Sequence, residues 1–320
     1  YCREGCAGSQ QWAAVYSGNQ PAELYGLKQQ LNAGLSAGLC GFAVWSGDMA
    51  GYEGKPNVET YIRGVEFAAF QPLMRSHGTK TRCPWDFGKE AETVYLKYYW
   101  LRENLIEMLY SAAISSNHRG LPMMKAMALA FPEEKDYLNN GEQYLFCDTI
   151  LVAPVLEEKA QTKKVCFPKG TWYELWSGNE VLGSCEREVP VSLKDCPAYL
   201  KSGIVLPVIM NEKMKWAVPF SEQNQTKVIV ITPPNMDDEY RYYAEEDDKY
   251  VFKCVKEDER VFTIYSLKDI FINKLLIYGN VHEIEVDGKK EEFSIVYENQ
   301  TMTALRLKSD RWNKLTITCK

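Results

Sequence analysis

The sequence is poor in metal ligands. It has three histidines, and none of its ten cysteines forms a Cys-x-x-Cys pair; Cys2 and Cys6 stand nearest one another. A structural zinc site draws about four such ligands from tightly spaced pairs, so no metal site and no cofactor are expected. Lysine and arginine form no cluster and the net charge is −6, which argues against nucleic acid as a partner. No apolar run is long enough to cross a bilayer, so no membrane partner is expected. No targeting segment precedes the first residue, which is Tyr rather than Met. Cysteines scattered in this way read as reduced, buried thiols of a cytoplasmic protein, and the start reads as the interior of a longer chain, of which these residues are a C-terminal portion.

What the sequence does contain is an ordinary globular composition. Of its 320 residues 46% are apolar and 25% charged, enough for one large domain or two to three smaller ones. Its 20 Tyr and 8 Trp are numerous enough to supply stacking platforms for sugars, a hint at most. The most telling stretch is Gly38 to Gly54, GLCGFAVWSGDMAGYEG. Its run from Leu39 to Trp45 has the pattern of a strand buried on both faces. It breaks into a glycine-punctuated loop with one carboxylate, Asp48, and an aromatic, Tyr52. Strand ends of this kind carry the chemistry of (β/α) barrels. Periodicity does not decide whether Asp48 faces a ligand or caps the next turn.

Taken in order, the chain alternates helix and strand up to about residue 147. A strand-like run spans Trp12 to Tyr16, a helix is predicted over Ala22 to Gly34, and another over Asn57 to Phe70 with Asn57 as N-cap. Arg75 to Gly78 is a further charged loop, where His77 is either structural or ligand-facing. Glu90 to His118 is predicted as one long helix with Leu96, Tyr99, Leu105, Met108 and Leu109 on its buried side, ended by Gly120. Leu121 to Leu129 reads as another strand. After Asp148 come short strands between Pro and Gly turns, the pattern of β-sandwiches. A polar stretch at Asn211 to Lys215 suggests a boundary between two such domains, and Glu245 to Asp248 reads as a solvated hairpin tip.

Several motifs then fall in series: Arg3-x-Gly5-x-Ala7-Gly8-Ser9-Gln10, Tyr16-Ser17-Gly18-Asn19-Gln20, Asp48-Met49-Ala50-Gly51-Tyr52, Pro72-x-x-Arg75-x-His77, Pro84-Trp85-x-Phe87-Gly88, Leu151-Val152-Ala153-Pro154-Val155 and Pro168-x-Gly170-x-Trp172-Tyr173. Over roughly residues 1 to 208 the sequence resembles glycoside hydrolase family 31, the α-glucosidase and α-xylosidase family. The resemblance implies the second half of a (β/α)8 TIM barrel (1–147), then proximal (148–212) and distal (213–320) β-sandwich domains. It implies a carbohydrate substrate, α-linked and gluco- or galacto-configured, and leaves a homo-oligomer open. It also implies a retaining mechanism whose nucleophilic Asp lies upstream of this chain.

Residue by residue, Arg3, Asp48 and His77 match positions that hold sugar hydroxyls or shape the sugar pocket. Tyr52 keeps an aromatic wall where the family has Phe. Trp45 and Trp85 stand as substrate-binding or second-layer aromatics, with core packing as the alternative. Asn19 occupies the acid/base position of the Trp-x-Gly-Asp motif, and Tyr16 replaces its Trp. A carboxamide has no proton of useful acidity, and Glu23, across a proline turn, is expected to point elsewhere. Gly64 stands where Trp is usual, so space is expected to open there. Alternatives are a sulfoquinovosidase-like member, suggested by Tyr52, a sugar-binding pseudoenzyme, or an engineered Asp→Asn trap at 19.

Overall fold

The computed structural model describes residues 2–3, 5–12 and 14–320. Ala13, in the strand run expected over Trp12 to Tyr16, lies outside the described residues. The chain divides into two compact units. The first comprises Tyr1–Arg102, Ser115–Pro168 and Ser184–Ala198; the second comprises Glu103–Ile114, Lys169–Gly183 and Tyr199–Lys320.

In the first unit β1 (Val15–Tyr16), α1 (Leu24–Leu39) and β2 (Trp45–Ser46) make a β-α-β step. The two strands pair in parallel, with Val15 opposite Trp45, and Cys2 bridges in parallel to Val15. Three neighbouring segments therefore run one way, as the barrel rhythm predicts. The helix is longer than its spacing predicts and takes in Leu39, which is exposed. No strong stop signal occurs before Cys40–Gly41. Gly34 and Gly38 are buried where the helix closes on Trp45 and Pro122, and a Cβ on Gly34 would overlap the indole. Gly41, at φ +88°, makes the turn that ends the helix. The run Leu39 to Trp45 is thus not a strand buried on both faces; only Trp45 and Ser46 are both paired and buried.

The next helix, α2 (Val58–Ala69), begins as predicted: the Asn57 side chain accepts from the Thr60 N–H at 2.7 Å, and Glu59 sits in the first turn. The open space expected at Gly64 does not exist. A Cβ there would lie 2.5 Å from both Cα and N of Ala50, so the backbone of the loop after β2 fills the volume. Flanking it in the helix, Arg63 and Glu66 form a buried ion pair at 2.9 Å, and Arg63 also donates to the Ser192 carbonyl. Burial pushes the Glu66 carboxyl up to about 7, more than Arg63 pulls it down. A carboxyl raised in the folded state stabilises when protonated, so this contribution is present below its unfolded pKa and lost as pH rises through about 7. Between pH 5 and 8 the wild type should lose up to ~3 kcal/mol relative to Glu66→Gln, by urea melts at each pH. Parallel pH profiles for the two proteins would contradict the assignment.

The single helix predicted over Glu90 to His118 is two, α3 (Lys89–Asn104) and α4 (Ile106–Arg119), meeting at Leu105. Buried Asn104 spends its amide outside the helix: Nδ2 donates to the Ile209 carbonyl at 2.7 Å and Oδ1 accepts from the Ala217 N–H at 2.8 Å. Leu105, Met108 and Leu109 are buried as expected, but Leu96 and Tyr99 are exposed. Gly120, at φ +67°, ends the second helix with its N–H on the Ser116 carbonyl.

The strand expected over Leu121 to Leu129 is β3 (Met124–Ala126), followed by a helical turn, Met127–Ala130. It pairs antiparallel with β4 (Tyr144–Phe146), which pairs antiparallel with β5 (Ile150–Val152). From Ile150 onward every regular element is a strand. In the first unit Thr162–Phe167 pairs antiparallel with Cys185–Pro190. The second unit is a sandwich of a five-stranded and a six-stranded sheet around Ile229, Phe252, Ile264, Ile277, Trp312 and Ile317. Residues 245–248 form the turn between the paired strands Asp238–Tyr243 and Lys249–Lys256, as expected of a hairpin tip. All ten cysteines are free. Cys147, Cys166, Cys196 and Cys254 are buried, whereas Cys6 and Cys40 are exposed, so the expectation of buried thiols holds only for some.

Candidate active site

The parallel strands place their following loops side by side. Asn19 follows β1 after the left-handed turn at Gly18, and Asp48 follows β2 through Gly47. The backbone there is held at many points. Ser17 N–H donates to the Ser46 carbonyl, and Tyr52 N–H to the Gln20 carbonyl. Gln30, buried on α1, donates to the Asp48 carbonyl at 3.0 Å; Gly47 N–H donates to Gln71 Oε1 at 3.1 Å; Met49 N–H donates to the Arg75 carbonyl at 2.9 Å. A loop with its polar groups satisfied in this way holds its side chains in place.

Asp48 is fully buried. Its Oδ2 accepts from the Tyr16 hydroxyl at 2.6 Å. Its Oδ1 lies 3.4 Å from Nη1 of Arg75, an ion pair without hydrogen-bond alignment. The Arg75 guanidinium also sits over the Tyr16 ring, 5.3 Å from the centroid. Tyr16 in turn is 3.1 Å from Asn19 Oδ1. One phenol therefore links the carboxylate after β2 to the amide after β1. A short O–H···O contact to a carboxylate is the stronger of the two.

A second pair joins the loop after β2 to the segment that follows Arg75: the rings of Tyr52 and His77 are 5.4 Å apart and tilted by 44°. Arg3 follows the Cys2 bridge, at the same end of the parallel segments, and is exposed. Trp45 and Trp85 are not brought into this cluster. The Trp45 ring packs on Gly34 of α1, and Trp85 is 68% exposed in the 3-10 turn Pro84–Phe87. Glu23 is exposed ahead of α1. Sequence reasoning did not find the Tyr16 hydroxyl as a hub or Gln30 as a backbone anchor. The only signals were a Tyr where Trp is usual and a polar residue on the apolar face of a helix. Among the described residues no group of three or more His, Cys, Asp or Glu is placed to hold a metal, and no helix is long and apolar enough to cross a membrane.

Comparison with known proteins gives this arrangement a context. Residues 1–112 match the glycosyl hydrolases family 31 TIM-barrel domain, and residues 120–206 match the family's C-terminal domain. The chain belongs to glycosyl hydrolase family 31. This family 31 chain is 33% identical over 225 residues to an isomaltosyltransferase of Sporosarcina globispora, an alignment covering 66% of the chain and 21% of the relative. It is 32% identical over 215 residues to an α-xylosidase of Saccharolobus solfataricus, covering 65% of the chain and 29% of the relative. It thus spans between about a fifth and three tenths of these curated relatives. Its fold is similar to the cycloalternan-forming enzyme of Listeria monocytogenes solved with a pentasaccharide substrate. The TM-score is 0.88 at 23% identity, over 99% of this chain and 33% of that one. A Flavobacterium johnsoniae family 31 dextranase solved with glucose has a TM-score of 0.80 at 23% identity, over 98% and 45%. The architecture is the second half of a TIM barrel followed by β-sandwich domains.

Proposed function

We propose that this family 31 chain is the C-terminal portion of a retaining α-glycosidase acting on α-linked gluco- or galacto-configured glycosides. The observation that carries the reading is the pair of loops after adjacent parallel strands, whose Asn19 and Asp48 meet on one Tyr16 hydroxyl. In retaining chemistry one carboxylate attacks the anomeric carbon while a second group, about 5–5.5 Å away, protonates the leaving oxygen. We assign the nucleophile to a segment outside this chain and the acid/base position to Asn19. Asp48, with Arg75 beside it, Arg3 and His77 are assigned to the sugar hydroxyls, and Tyr52, its ring 5.4 Å from that of His77, to an aromatic wall. The three-part division at about residues 147 and 212, and a cytoplasmic location, belong to the same proposal. The relatives named above as an isomaltosyltransferase and an α-xylosidase support the substrate class.

The amide at Asn19 favours a second reading, a sugar-binding protein that has lost its general acid. The two separate on the full-length protein given glucose and a nitrophenyl α-glucoside. The enzyme reading expects saturable glucose binding and turnover of the activated glycoside, whose leaving group departs without protonation. Binding without turnover supports the second reading, and neither binding nor turnover contradicts both.

A further inference from the structure

Residues 48–54 and 77–82 approach one another without forming a sheet, and the Arg82 side chain bridges them at several points. Arg82 is 5% exposed. Its Nη2 donates to the carbonyls of Gly51 (2.7 Å), Gly54 (3.2 Å) and Tyr52 (3.3 Å), and its Nη1 to those of Thr81 (3.0 Å) and Lys80 (3.1 Å). Nε adds a bond of 3.2 Å to Gly51. Gly78 lies against the guanidinium, where a Cβ would be 2.7 Å from Nη2, and the Tyr61 hydroxyl donates to the Arg82 carbonyl at 3.0 Å.

These hydrogen-bond partners are all backbone carbonyls, on both segments. A buried cation is ordinarily matched by a carboxylate; here five carbonyl dipoles take that place. Burial lowers the pKa of the Arg82 guanidinium, and the charge of Asp48 opposes that in part. Only a planar fork of donors meets so many acceptors in one layer; an ammonium has three donors arranged tetrahedrally. Without the fork, each of the carbonyls turned toward it would lose a donor.

The same segments carry Tyr52 and His77. Thr79 tightens the tie: its N–H donates to the Tyr52 carbonyl at 2.9 Å, and its Oγ1 accepts from the Gly54 N–H at 3.0 Å. We propose that Arg82 is a positioning residue that fixes the spacing and tilt of the Tyr52–His77 pair through the backbone of both loops. Its consequence for sugar affinity rests on the function proposed above; the positioning itself does not.

The test uses both properties in the full-length protein. Arg82→Gln should weaken glucose binding roughly 10–100-fold, the scale of a misplacement of about 1 Å. In a Tyr52→Ala background the same change should cost less than ~2-fold, because what it positions is gone. Equal losses in the two backgrounds would overturn the proposal. The second readout is the His77 ring proton resonance. With three histidines in this chain, it is identified by its disappearance in His77→Gln. Tyr52→Ala should shift it by removing the neighbouring ring current, and Arg82→Gln by changing the distance and tilt of that ring. Should Arg82→Gln not fold, Gly78→Ala crowds the guanidinium while keeping its charge and should shift the resonance in the same direction. An unmoved resonance in the folded variant overturns the proposal. A moved resonance in a protein that binds no glucose upholds the positioning and removes the sugar reading.

Discussion

Full-length protein carrying Asn19→Asp should cleave unactivated α-glycosides ~10²–10⁴-fold faster than the wild type, the usual worth of general acid catalysis. That is roughly 3–5.5 kcal/mol of barrier at ~1.36 kcal/mol per decade. The exchange is nearly isosteric. The new carboxyl would replace an amide oxygen 3.1 Å from the Tyr16 hydroxyl, which already donates to Asp48 at 2.6 Å. One phenol proton cannot serve two carboxylates. The phenol donates to Asp48, which Arg75 flanks, and a carboxyl left without that donor beside a second carboxylate has its pKa raised toward the range an acid catalyst needs. On a nitrophenyl glycoside the two proteins should differ far less. The decisive comparison is kcat/KM on one natural disaccharide and one activated glycoside. A wild type that already cleaves the disaccharide at ordinary enzyme rates would mean that another group is the acid.

The second large effect is structural. In most helix interiors Gly→Ala stabilises, by ~0.5–1 kcal/mol. At Gly64 the sign should reverse. The new methyl would meet the Cα and N of Ala50 at 2.5 Å, both of them backbone, and Ala50 is fully buried at φ +60°. Overpacking of this kind costs about 1–3 kcal/mol. The displaced residue lies in the turn closed by Gly51 N–H on the Asp48 carbonyl, so glucose affinity should fall along with the melting temperature. A Gly64→Ala protein more stable than wild type would show that α2 does not seal this turn.

That reversal marks where sequence reading ran out. Asn57 could be read as a cap because capping is local: one side chain, three residues, one N–H. The change to strands after Asp148 was legible for the same reason, since turn residues and period-two alternation lie along the chain. The end of α1 was not, because Gly34 and Gly38 look like helix breakers until Trp45 and Pro122 are seen packed on them. The break at Leu105 depends on carbonyl and N–H partners more than a hundred residues away. At the site, the motifs pointed to Asn19, Asp48, Tyr52 and His77. The roles of Tyr16 and Arg82 depend on hydrogen bonds between loops that no spacing rule encodes, and Gly64 suggested a vacancy only because a missing side chain says nothing of where backbone will go.

The interleaving of the two compact units has a consequence for biosynthesis. The first unit needs residues up to 198, and the second, which already claims residues 103–114, cannot begin its main sheets until the chain passes residue 199. At ~5–20 residues per second on the ribosome, helix residues belonging to the second unit wait roughly 5–20 s for their partners. Throughout that interval the buried face of Met108 and Leu109 has no sandwich to close on. Nascent chains stalled near residue 190 should bind holdase chaperones that release them once the last strands emerge. Truncation at 168 should leave residues of both units, since 103–114 of the second lie within what remains, and neither unit complete.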